Sequence, residues 1–192
     1  PKWFHGENND LASKAWFRYD LDGTLSSDGI GDQYMALEKI AADTVKKLAA
    51  EGLKGLHWET IYEMGHDMPL AEIHYYAAKG IRKADPSAFI IGPATWPGWT
   101  VEERFVKPFL SKYDADLLDY VSVHWYGSND HGLYDLGFKP ETDIITMNDR
   151  KYLDYLLDKT PDFAKWTLTL RTMLDDPKLN PKAKDIGIMY TE

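Results

Sequence analysis

Two glutamates close apolar runs in this chain, and acids so placed can do chemistry. Residues 55–64 read Gly-Leu-His-Trp-Glu-Thr-Ile-Tyr-Glu-Met and bring Glu63 to the end of the first run. Residues 185–192 read Asp-Ile-Gly-Ile-Met-Tyr-Thr-Glu and bring Glu192 to the end of the second. A carboxylate after a short strand, with helix-like sequence on both sides, is how α/β barrel enzymes present catalytic groups. A third run, Tyr120–Tyr126, carries His124, Trp125 and Tyr126. Trp96 and Trp99 follow a fourth, the continuous apolar stretch Ala88–Pro93.

The elements around these residues set where they stand. Residues 31–51 place Met35, Leu37, Ile40, Ala41, Val45, Leu48 and Ala49 at helical spacing, with Lys46 and Lys47 near the end and Gly52 as a stop. Leu53–Glu63 reads as a strand, on which Glu59 is in phase with Glu63. Residues 70–84 predict a helix that ends before Asp85-Pro86. Residues 88–93 suit a strand buried on both faces. A helix over 101–113, a strand over 120–126, a long loop over 127–149, one or two helices over 149–175 and a last strand over 185–192 follow. Helix and strand alternate, which argues a parallel sheet with crossover helices. Residues 1–30 read as a loop-rich entry segment, with Trp3 and His5 in it.

The chain has 192 residues, 28% charged and 44% hydrophobic, enough for one globular domain with a sizeable core. A complete (β/α)8 barrel needs roughly 250 residues. The chain opens at Pro1 and stops at Glu192 directly after an apolar run, so it reads as an internal piece of a longer protein. Net charge is −9 with no basic run, which argues against nucleic acid or an anionic membrane as partner. With no cysteine, disulfides, thiolate metal sites and a cysteine nucleophile are excluded.

The spelling of these runs resembles glycoside hydrolases of clan A. Trp58-Glu59-Thr60-Ile61-Tyr62-Glu63 is similar to the Trp-Glu-x-x-Asn-Glu signature at the end of the clan's fourth barrel strand, with Tyr62 where the clan has Asn. Residues 84–94 resemble its passage into the fifth strand, residues 118–127 its sixth strand and residues 186–192 its seventh. The feel is that of the family 39 and family 51 members. The resemblance spans roughly residues 35–192. It implies an incomplete (β/α)8 TIM barrel covering about strands four to seven, with the whole of residues 1–192 a partial catalytic domain. It also implies a retaining glycosidase of a plant- or algal-type polysaccharide or oligosaccharide, secreted or periplasmic, that needs no cofactor and no metal. By the same resemblance Glu63 is the general acid/base and Glu192 the nucleophile. Tyr62, Trp96, Trp99 and Trp125 would then contact the sugar, and His124 and Tyr126 would orient the nucleophile or the sugar. Flat apolar rings with a polar handle suit the faces of pyranose rings. An open parallel sheet exposes unpaired edges, so the isolated chain is expected to be marginally stable and inactive.

Other readings compete. Asp20-Leu-Asp-Gly-Thr-Leu25 resembles the first motif of haloacid-dehalogenase-type phosphatases, which would make Asp20 a phosphoryl acceptor and Asp22 an acid/base beside magnesium. Against it, Ala15–Tyr19 makes a poor buried strand, with Arg18 inside it. A non-catalytic glycan-binding barrel is the third reading, motivated by Tyr62. His57, His66, His74 and His131 show no tight metal-ligand spacing.

Overall fold

The chain was described from a computed structural model. It describes residues 27, 31–64, 68–97, 99–125, 139 and 150–192, with Trp99 by its backbone alone. The entry segment apart from Ser27, including Trp3, His5, Asp20 and Asp22, lies outside the described residues, as do His66, Tyr126, His131 and most of the expected loop over 127–149.

The alternation read from sequence is realised. The elements are α1 (Asp32–Ala50), β1 (His57–Glu59), α2 (Leu70–Ala84), β2 (Phe89–Thr95), α3 (residues 99–112), β3 (Tyr120–Val123), α4 (Arg150–Asp158), α5 (Thr160–Leu174) and β4 (Gly187–Tyr190). The four strands form one parallel sheet in sequential order β1-β2-β3-β4. Helix α3 contains a π segment, Glu102–Val106, between two α segments.

Alternation along the strands divides the sheet into two faces. Trp58, Ile90, Val121 and Ile188 point to one face, where they pack with residues of α1, α2, α3 and α5. Val45, Ala78 and Ile81 meet Ile90, while Leu70, Phe105, Phe109, Leu170 and Leu174 gather around Val121 and Val123. The other face carries an aromatic row. His57 stacks on Phe89 at 4.6 Å, and Tyr120 lies 6.2 Å from His57. Phe89 remains 42% exposed there, so this face is the open one among the described residues.

Helix α1 buries a different stripe from the one its apolar residues suggest. Tyr34, Glu38, Ala42 and Val45 face inward, at helical spacing, while Met35 and Ile40 are exposed. The cause is its packing against α2, where Lys79 meets the inward carboxylate of Glu38 at 2.9 Å. The end of α1 follows the expected stop. Gly52 (φ +85°) donates to the Ala49 carbonyl and Leu53 to the Leu48 carbonyl, which closes the helix in a Schellman turn.

At the N-terminal side of the sheet, Asp119 ties three elements together. Its carboxylate accepts from Arg82 (2.8 Å), Lys184 (2.9 Å) and the Ile90 N–H (2.8 Å). Burial would raise its pKa, but these donors outweigh burial and hold it below the usual carboxylate range.

His74 is the polar centre of the core. It is fully buried on α2, edge-on to Phe105 and Phe109. Its Nε2–H donates to the Leu117 carbonyl (3.0 Å), so Nδ1 carries the lone pair and accepts from the Thr60 hydroxyl (2.6 Å). Burial pushes its pKa down from 6.5 to about 4, against smaller upward pulls from the Leu117 bond and Asp119. A histidine held neutral by the fold stabilises it fully above the unfolded value. That contribution declines as pH falls from 6.5 toward 4 and changes no further below. The loss across this window is expected to be about 3 kcal/mol. Urea unfolding at pH 7.5 and pH 4.5 reads it, and imidazole NMR should place the His74 midpoint near 4.

Candidate active site

The C-terminal ends of the four strands point the same way, and the sequence-selected acids gather there. Glu63 lies four residues past the end of β1, His124 directly follows β3, and Glu192 lies just past β4. Donor atoms of Glu63, His124 and Glu192, one from each, lie within 4.8 Å of one another. The His124 ring is fully buried, whereas the two carboxyl side chains are about one-third exposed, at 33% and 32%.

Glu63 is not the in-phase strand residue that the sequence pattern suggests. The strand stops at Glu59, and Glu63 takes a left-handed backbone, φ +44°. This conformation is unfavourable for a residue with a Cβ and persists where surroundings enforce it. Here the flanking Ile61 and Met64 are buried, and the Glu63 N–H donates to the Ala94 carbonyl at 2.8 Å. Ala94 is itself left-handed, φ +48°, at a register shift in β2, and its N–H donates to the buried Ser122 hydroxyl at 2.8 Å. A polar relay thus runs from β3 through β2 to the backbone of Glu63.

His124 occupies the space between the acids. Its Nδ1 is 2.9 Å from Glu63 Oε1 and 3.8 Å from Glu192 Oε2. Its Nε2 is buried and has no hydrogen-bond partner among the described residues. A proton on Nε2 would be an orphaned donor, so the Nδ1–H tautomer, donating to Glu63, fits the site. The backbone of His124 is fixed by its own N–H to the Thr95 carbonyl (3.0 Å). Glu192 is fixed by its carbonyl, which accepts from the Trp125 N–H (2.8 Å).

Tyr62 reaches across the strand ends. Its hydroxyl donates to Glu192 Oε1 at 2.7 Å, and its ring tilts over that of His124, centroids 5.3 Å apart. The hydrogen bond to Glu192, with lesser help from burial and the neighbouring carboxylates, pushes the phenol up to about 12.

The tryptophans divide. Trp96 stands half exposed beyond the end of β2. Trp125 packs against Phe163 (5.3 Å) and Trp166 (6.4 Å) of α5, so it anchors a helix. Trp99 opens α3, with its side chain outside the described residues, and Tyr126 lies outside them altogether.

One nitrogen and two carboxylate oxygens also form a donor set that suits a divalent transition ion. Glu63, His124 and Glu192 are the group among the described residues that could hold one. The sequence reading missed the supports of the site. Thr60, His74 and Gly92 brace the approach to Glu63, and Ser122 starts the relay. Ser122 was accessible as the polar partner of His124 in the alternation Val121-Ser122-Val123-His124. Comparison of the chain with protein families, with curated proteins and with solved structures returned no match.

Gly92 tests the brace. A Cβ there would lie 2.6 Å from His74 Nδ1 and 2.9 Å from Thr60 Oγ1. The His74 ring, packed against two phenylalanines, has no room to withdraw. Gly92→Ala should therefore break the Thr60–His74 bond and destabilise the fold by about 1–3 kcal/mol. A change under about 0.5 kcal/mol in urea unfolding would show that the segment is not held this way.

Proposed function

We propose that this chain carries the two catalytic carboxyls of a retaining glycoside hydrolase. One observation supports the reading above the others: oxygens of Glu63 and Glu192 approach within 4.8 Å, although the residues sit beyond opposite edges of the four-stranded sheet. Retaining glycosidases place their carboxyls about 5–5.5 Å apart, and inverting ones about 6.5–9.5 Å apart. A spacing on this scale lies with the retaining class and favours direct attack by one of the acids.

The fold reading goes with it. Strands in sequential order, with helices packed on one face, suit the wall of a (β/α)8 barrel better than a doubly wound sheet, which carries helices on both faces. The site at the C-terminal strand ends is where barrel enzymes do their chemistry. We therefore take the chain as part of such a barrel, about strands four to seven, of the clan A kind.

In this reading Glu63 gives its proton to the glycosidic oxygen as that bond breaks. Glu192 attacks the anomeric carbon and forms a glycosyl ester. Glu63, now ionised, takes a proton from water, which attacks the same carbon and releases Glu192. His124 holds Glu63 by its Nδ1–H and keeps a positive dipole between the two acids. Trp96 offers an exposed ring to a sugar face, whereas Trp125 serves packing.

The test uses the natural protein containing these residues, a panel of aryl glycosides and the Glu63→Gln variant. Turnover should fall by about 10²–10⁴-fold in the variant. The loss should be larger for poor leaving groups, which need the proton most. A chelator should change nothing. Chelator-sensitive turnover would move the reading to the metal-binding capacity of the same three residues. Phosphate-ester hydrolysis would move it to Asp20 and Asp22, and glycan binding without turnover would leave the non-catalytic barrel.

A further inference from the structure

Tyr62 stands beside Glu63 in sequence but bonds to Glu192, 130 positions away. Its backbone lies between two buried anchors, Ile61 and Met64, and next to the left-handed Glu63. The side chain is 52% exposed, so no core packing dictates its direction. Two contacts set it instead: the ring against His124 and the hydroxyl on Glu192 Oε1. The second oxygen, Oε2, is the one nearer His124, at 3.8 Å. Tyr62 thus holds Oε1 by a hydrogen bond, while Oε2 is the oxygen on the His124 side.

We infer that Tyr62 is a positioning residue for Glu192, holding its carboxylate in place and ionised, and not a sugar-binding residue; this rests on the glycosidase reading above. A phenol O–H donating to a carboxylate is a charge-assisted bond, stronger with the ionised acid than with the neutral one. It acts twice in the double displacement. Before attack it fixes Oε1 and leaves Oε2 on the side of His124, the imidazole that also meets Glu63. When water cleaves the ester, the charge returns to the carboxylate and the same O–H receives it. Removing the hydroxyl should thus slow both steps and leave substrate binding nearly unchanged.

Tyr62→Phe keeps the ring on His124 and removes only the donor. In the natural protein containing these residues, kcat should fall about tenfold to a hundredfold. KM should stay within about twofold, because the bond does not touch substrate. The acidic limb of kcat/KM should move to higher pH. The loss should be equal for glycosides with and without a hydroxyl next to the anomeric carbon. A loss confined to the hydroxylated substrates, or expressed in KM alone, would overturn the inference and make Tyr62 a sugar ligand. A second arm does not depend on turnover. With glutamate labelled at Cδ with 13C, and Glu192 assigned through Glu192→Gln, the Glu192 carboxyl should titrate at higher pH in Tyr62→Phe than in the unaltered protein. An unchanged midpoint would overturn the tie. If the unaltered protein hydrolyses no glycoside, the glycosidase reading fails, and this titration alone still decides whether Tyr62 controls Glu192.

Discussion

One hydrogen bond fixes the turn on which the site depends, the Glu63 N–H to the Ala94 carbonyl. It joins two residues that both occupy the left-handed region, at φ +44° and +48°. Neither conformation is favourable for a residue with a side chain, and each supports the other. Ser122 holds Ala94 from the next strand, and buried Ile61 and Met64 hold Glu63 from either side. The chain leaves β1, turns, and delivers one carboxyl to His124 while the preceding tyrosine reaches Glu192. Without that turn, the two residues would alternate to opposite sides of an extended strand.

The sheet separates stability from chemistry along its strands. At the N-terminal side, Asp119 is met by Arg82, Lys184 and the Ile90 backbone, so the charge there is paired and locked. In the middle, His74 links α2 to Thr60 and to the Leu117 carbonyl. At the C-terminal side, two carboxyls share one buried imidazole, and that arrangement leaves acid oxygens accessible. Barrel enzymes keep conservative packing at the first end and reactive groups at the second. The division here is of the same kind.

Much of this was legible in the sequence because it is periodic or punctuated. The helix over 70–84 repeats apolar residues at helical spacing and stops at Asp85-Pro86, and α2 has those bounds. Four apolar runs became four parallel strands, of which β1, β3 and β4 are shorter than their runs because the strand ends turn into the site. Glu63, His124 and Glu192 were visible as polar residues closing apolar runs. What pattern cannot show is backbone handedness and long-range partners. Glu63 looked in phase with Glu59, yet a left-handed turn intervenes. The packing of Trp125 on Phe163 and Trp166 was not visible either, because both come from a later helix that only the fold brings near. His74 looked like one more histidine without ligand spacing, and its role follows from Thr60 and Leu117, which lie 14 and 43 positions away.

The proposed double displacement requires a covalent bond between Glu192 and the sugar, and that bond can be trapped. The natural protein containing these residues would be incubated with 2-deoxy-2-fluoro glycosides bearing a good leaving group. The fluorine slows both steps, and the leaving group lets the first outrun the second. The expected result is a mass increase of one fluorosugar, mapped by peptide mass spectrometry to Glu192 and absent in Glu192→Gln. Label on another carboxylate, or turnover of glycosides with inversion at the anomeric carbon, would contradict it.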